Sequence, residues 1–267
     1  MIQSPDAEAA ATPDRARANP VRVAADARAD EPNEYSTSDL SGHGGRARVP
    51  RWLLPAVLVA GFVFLLWQVK AHGPVTGLDL RVRDRTQDVA GSRPLRWMFH
   101  PGRAAADLGN QTVALPVLFA FTALAVRATR SWRPALVTLG ALAALLTVIP
   151  LKIWIDRPGP GQLVLGDAKL GYFPSGHTAD AILCYGTSAL LVCAFVIPAG
   201  LAGRSARRAS AALAAALVLL TIFGLLWSDF HWLSDTLGSL CWCGAALAVL
   251  SHLTLPRRGR VIPPGRR

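Results

Sequence analysis

Lys152 with Arg157, the run Pro174, Ser175, Gly176 and His177, and His231 followed four residues later by Asp235 are three short polar groups set beside strongly apolar sequence. Two cations can neutralise phosphate oxygens. A hydroxyl on a turn that opens a helix, with unpaired backbone N–H groups behind it, can hold an anion. Two histidines and a carboxylate can attack phosphorus and protonate the departing oxygen. The residue types therefore point to phosphoryl chemistry, with Lys152, Arg157, Ser175 and Gly176 as candidate phosphate-binding residues and His177, His231 and Asp235 as candidate catalytic ones.

The elements that must position these groups are membrane helices. Of 267 residues, 52% are hydrophobic and 17% charged, and the apolar residues gather into blocks near the roughly 20 residues a helix needs to cross a bilayer. Six spans are expected, centred on residues 52–69, 112–128, 134–154, 178–198, 209–227 and 236–255. They show no strand alternation, and lipid offers the backbone no hydrogen-bond partner, so an all-α, six-transmembrane-helix bundle follows. Residues 1–50, rich in Ala, Asp, Arg, Pro and Ser, read as a disordered tail with no signal-peptide core. The membrane domain is placed at 51–256 and a basic tail at 257–267.

The net charge of +11 is uneven, because the first 50 residues hold 8 acidic and 6 basic side chains. The excess on the rest suits anionic lipid head groups. Nucleic acid is disfavoured as a partner: the arginines flank apolar spans, and no nucleic-acid motif accompanies them. The four cysteines all fall in apolar stretches and read as small buried hydrophobes. Arg46, Arg48 and Arg51 precede the first span; Arg127, Arg130 and Arg133 join the second and third; Arg204, Arg207 and Arg208 join the fourth and fifth; Arg257, Arg258 and Arg260 follow the last. By the positive-inside rule these regions and both termini are cytoplasmic. The connections 70–111, 155–177 and 228–235 are then extracytoplasmic, and the active site with them.

At these residues the chain resembles the type-2 phosphatidic acid phosphatase superfamily, the lipid phosphate phosphatases related to bacterial acid phosphatases and vanadium haloperoxidases. That pattern has a Lys six residues ahead of an Arg-Pro, then Pro-Ser-Gly-His, then Ser-Arg, five residues, His, three residues and Asp. Lys152 with Arg157 and Pro158, the run Pro174 to His177, and His231 with Asp235 stand in the same order over roughly residues 52–255. The resemblance implies a cell-membrane enzyme that hydrolyses a phosphomonoester or diphosphate of an amphiphilic substrate, such as a polyprenyl diphosphate, phosphatidic acid or phosphatidylglycerol phosphate. It implies a phosphohistidine and no metal or other cofactor, and the sequence offers no carboxylate cluster for a metal. It says nothing of oligomeric state.

Roles follow from chemistry as well. Asp235 can take the proton of one His231 nitrogen and leave the other free to attack phosphorus; His177 at a helix start can protonate the leaving alkoxide; Lys152 and Arg157 can neutralise the equatorial oxygens. Asp180, three residues after His177, reads equally as a group orienting that imidazole and as a carboxylate facing water. The arginine registers of the pattern fall on Gly159 and Leu225. From that departure comes a second reading, a lipid-phosphate-binding or scaffold protein of the same fold with weakened turnover. A transporter is disfavoured, since the spans carry no midplane charge and no paired broken helices.

Overall fold

The computed structural model describes residues 50–162, 170–198 and 200–255, which lie in one compact unit beginning at Arg48. The expected tails, 1–50 and 257–267, lie outside the described residues except for Pro50. Every regular element among the described residues is helical, and six helices are long and apolar enough to cross a membrane.

The first span, α1 (Leu53–Lys70), leads into two helices that do not span: α2 (Pro74–Gly91) and, after a tight 3-10 turn, α3 (Phe99–Asp107). α4 (Gln111–Thr129) starts where the Asn110 side chain accepts the Thr112 N–H. It stops where Arg130 turns left-handed, at φ 49°, and α5 (Arg133–Leu146) starts with Pro134 in its first turn. The third span, expected as one helix over 134–154, breaks at Thr147 into α5 and α6 (Val148–Ile155). Pro150 explains the break, because it has no N–H for the carbonyl four residues back.

α7 (Gly176–Leu191), continued by a wider turn to Val196, is the central helix: 67% of its span is buried, against 17–33% for the other five. α8 (Leu201–Trp227) is longer than the expected 209–227. Its first two turns are polar, so apolarity alone misses them, yet Ala and Arg favour helix and the Arg207 guanidinium donates to the carbonyls of Cys193, Ile197 and Pro198. α9 (Leu233–Thr254) also begins before the expected residue 236, because the Asp235 carboxylate accepts the Trp232 N–H and closes the first turn.

Lipid tails are as apolar as leucine, so spans associate by close approach of small residues more than by burial of oily ones. The inward faces of α7 and α9 fit that rule: Ala179, Ala181, Thr187 and Ser188 on one, Thr236, Gly238, Ser239 and Ala245 on the other. Gly224 is required where α8 meets α3, since a Cβ there would strike the Ala106 backbone. Cys184 and Cys243 are buried and all four cysteines are free. The connections 71–110 and 228–232 and the described parts of the third, 156–162 and 170–175, meet at one end of the bundle: Arg157 reaches Asp79, and Arg83 grips Asp229 through two 2.8 Å bonds. The Gln87 side-chain amide donates to the last carbonyls of α8, so α2 covers that end.

Candidate active site

The start of α7 and the start of α9 are tied directly to each other. The Ser175 N–H donates to the Asp235 carbonyl at 3.0 Å, and the Ser239 hydroxyl donates to the Ser175 carbonyl at 2.7 Å. His177 lies in the first turn of α7 and His231 just ahead of α9, so these two bonds fix the distance between the imidazoles. Their ring centroids are 6.3 Å apart at 64°. Both border a cavity of about 400 Å³ with Lys152, Tyr172, Gly176 and Asp180. A phosphoryl group can sit between such rings and touch both.

His231 is buried, and its Nδ1 is 3.2 Å from Asp235 Oδ2. Asp235 is fully buried, so its charge is little screened and favours the tautomer with the proton on Nδ1. Nε2 then keeps a lone pair. Desolvation pushes the His231 pKa below its ordinary 6.5, while the Asp235 hydrogen bond opposes the shift. The ring is therefore neutral at pH 7, as a nucleophile must be.

Lys152 stands in the last turn of α6, its ammonium donating to the Gly171 carbonyl at 2.8 Å while it borders the cavity beside Gly176. Arg157 is placed otherwise than expected. Its guanidinium is only 11% exposed and does not border the cavity; it donates to Asp235 Oδ1 at 2.6 Å, Ser234 Oγ at 2.7 Å and Asp79 Oδ2 at 2.7 Å. The guanidinium thereby ties α2 to the start of α9 behind His231. The Ser175 hydroxyl is fully buried and caps α7 by accepting the Thr178 N–H at 3.3 Å. Gly176 and the His177 turn remain at the cavity wall.

The arginine registers are filled, not vacant. A Cβ on Gly159 would come within 2.6 Å of the Tyr172 ring, and Leu225 is fully buried. Lys152 is the one Lys or Arg bordering the cavity among the described residues; Lys169 lies outside them. No group of three His, Cys, Asp or Glu able to hold a metal occurs among the described residues.

Asp79 escaped the sequence reading. It sits on α2, fully buried, taking the Ser234 N–H at 2.9 Å, the Ser234 hydroxyl at 2.6 Å and Arg157 at 2.7 Å. Its only sequence signal is the spacing to Arg83, which reads as an ordinary surface pair four apart on a helix; in the fold each takes a partner elsewhere. Trp232 lies under Arg157 and Arg83, with guanidinium carbons 5.4 and 5.8 Å from the centre of its ring. Asp180 is settled as buried at the cavity, not facing water at a span's end.

Residues 132–259 match the model of the PAP2 superfamily, which bears out the resemblance carried by the three motifs. The fold is similar to that of a transmembrane PAP2-type phosphatidylglycerolphosphate phosphatase from Bacillus subtilis, with a TM-score of 0.65 at 19% identity over 75% of this chain and 95% of that one. No curated protein matches the chain. The family segment begins after α4, so Asp79 lies outside it, whereas the structural match takes in most of the six-helix bundle.

Proposed function

On this membrane PAP2 fold, we propose, the cavity hydrolyses a phosphomonoester or diphosphate of an amphiphilic lipid through a phosphohistidine on His231. The observation that carries the proposal is the meeting of two imidazoles across one cavity, the buried one braced by Asp235. His231 Nε2 attacks phosphorus as the bond to the leaving oxygen breaks. His177 gives that oxygen its proton. Water then attacks the phosphohistidine with His177 taking a proton back, the P–N bond breaks, and inorganic phosphate leaves with both histidines restored. Lys152 and the N–H groups at the start of α7 stabilise charge on the equatorial oxygens throughout.

Polyprenyl diphosphates, phosphatidic acid and phosphatidylglycerol phosphate are the substrate candidates; the last is what the Bacillus subtilis neighbour is named for. The test is phosphate release by the purified protein from all three, with and without chelator. Release that chelators leave untouched is expected, since the residues need no cation to complete the steps above. Loss restored by a divalent ion would replace this mechanism with a metal-assisted one. The scaffold reading is favoured by one observation, the engagement of Arg157 with two carboxylates; binding of lipid phosphates without release would establish it.

By the positive-inside rule the arginine-rich connections support a site on the extracytoplasmic face. In a background lacking the four native cysteines, Gly91→Cys is expected to react with a membrane-impermeant thiol reagent in intact cells, and Ser205→Cys only after lysis. Both positions are exposed, at opposite ends of the bundle. The reverse labelling pattern would put the site in the cytoplasm.

A further inference from the structure

The phosphatase steps leave two titratable groups at the cavity unused: Tyr172, whose hydroxyl accepts from the Gln162 amide, and Asp180. Asp180 borders the cavity, is 3% exposed, and its Oδ1 has no hydrogen-bond partner among the described residues. It forms no ion pair within 4 Å among them either, Lys152 included. A buried carboxylate oxygen without a donor is costly even where Gln111 serves the carboxylate from one side, and negative charge beside a phosphate site repels the ligand. Its retention makes sense where the ligand itself brings a donor.

Placement says which part of the ligand that is. Asp180 follows His177 by three residues on α7, so the two side chains lie one above the other on the same face. His177 is the group that meets the leaving oxygen, and Asp180 therefore faces the alcohol being released. Gln111 at the start of α4 lies beside the Asp180 carboxylate and also borders the cavity, as does Asn110. This side of the cavity is polar, where a polyprenyl phosphate or diacylglycerol leaving group would present phosphate, ester or hydrocarbon atoms and no neighbouring alcohol hydroxyl. An ammonium donor is disfavoured because Lys152 already supplies positive charge to Asp180.

We infer that Asp180 is a specificity-determining residue that accepts a hydrogen bond from a hydroxyl on the leaving alcohol, so that the enzyme prefers lipid phosphomonoesters whose headgroup carries a free hydroxyl next to the phosphate-bearing carbon. The inference rests on the phosphatase reading and narrows its substrate class. A hydroxyl on the neighbouring carbon lies within reach of a group one helical turn from the general acid, whereas phosphatidic acid and polyprenyl diphosphates have none to offer. Gln111, able to donate and accept, completes the polar wall.

The experiment compares phosphatidylglycerol phosphate with the same lipid built on propane-1,3-diol, which lacks only the headgroup hydroxyl. Wild-type protein is expected to show a kcat/KM for the first higher by about 10- to 100-fold, the range of one hydrogen bond to a charged acceptor. Asp180→Ala is expected to lose that ratio by slowing the hydroxylated substrate and sparing the analogue. Asp180→Asn, which keeps the volume and can still accept, should retain part of it. Equal wild-type rates on the two lipids, or an Asp180→Ala loss shared by both, would overturn the inference and leave the phosphatase reading standing. Phosphate release from neither lipid overturns the reading on which it rests.

Discussion

His231→Ala is expected to lower phosphate release by four to six orders of magnitude, the scale on which removal of a covalent nucleophile acts, while the protein still inserts and keeps its helical content. Little of the fold depends on the imidazole: its only polar partner among the described residues is Asp235, which keeps Arg157, the Trp232 N–H and the start of α9 without it. His177→Ala should cost less, about 100- to 10,000-fold, because proton donation can pass in part to water. The gap between the two separates nucleophile from acid. Wild type mixed with substrate and quenched in base should carry phosphate on His231 that acid releases. Near-normal turnover by the His231 variant would remove the phosphohistidine from the mechanism.

The pH profile gives a further check on the same residue. Since burial holds the His231 pKa below 6.5, protonation that quenches its lone pair sets in only under that value, and the acid limb of kcat/KM attributable to the free enzyme should lie there. Asp235 is the group that raises this pKa against desolvation. Asp235→Asn should therefore move the limb to still lower pH while lowering the plateau. A limb that moves upward would mean that the carboxylate acts on some other group.

What could be read from sequence divides along physical lines. Six spans were legible because lipid forces an unbroken apolar run on any crossing helix, and the errors at Thr147 and Leu201 are places where hydropathy does not report backbone geometry: a proline inside an apolar run and a polar overhang that stays helical. His177, His231 and Asp235 were legible because their spacing ties each to a helix start. Arg157 was singled out but its carboxylate partner was not, since a cation beside a phosphate motif looks the same whether it faces a ligand or a hidden carboxylate. That carboxylate, Asp79, is 78 residues away in sequence, on a helix whose composition marks it only as a surface connection. Long-range pairing between polar side chains leaves no periodic trace, and so the brace behind the site emerges only from the fold.

That brace carries the second large effect. Arg157→Ala leaves Asp79 and Asp235 buried without their cation, and breaking a buried ion pair from one side costs about 3–5 kcal/mol. The variant is expected to melt well below wild type in detergent and to lose turnover by a few orders of magnitude, because Asp235 no longer holds His231 in one orientation. A phosphate clamp would behave otherwise: its removal would cost about 100- to 1000-fold in turnover and leave stability unchanged. Arg157→Lys should rescue only in part, since an ammonium cannot span Asp235, Ser234 and Asp79 as the planar guanidinium does. The decisive comparison is the pair Arg157→Met and Asp79→Asn, made singly and together. If Arg157 is a brace, the double variant removes a charge and its partner at once, and its loss of stability should fall short of the summed single losses by about 1–3 kcal/mol. Additive losses, together with a vanadate affinity that drops only in the Arg157 variants, would return Arg157 to the cavity and make the two-carboxylate arrangement a resting state that substrate displaces.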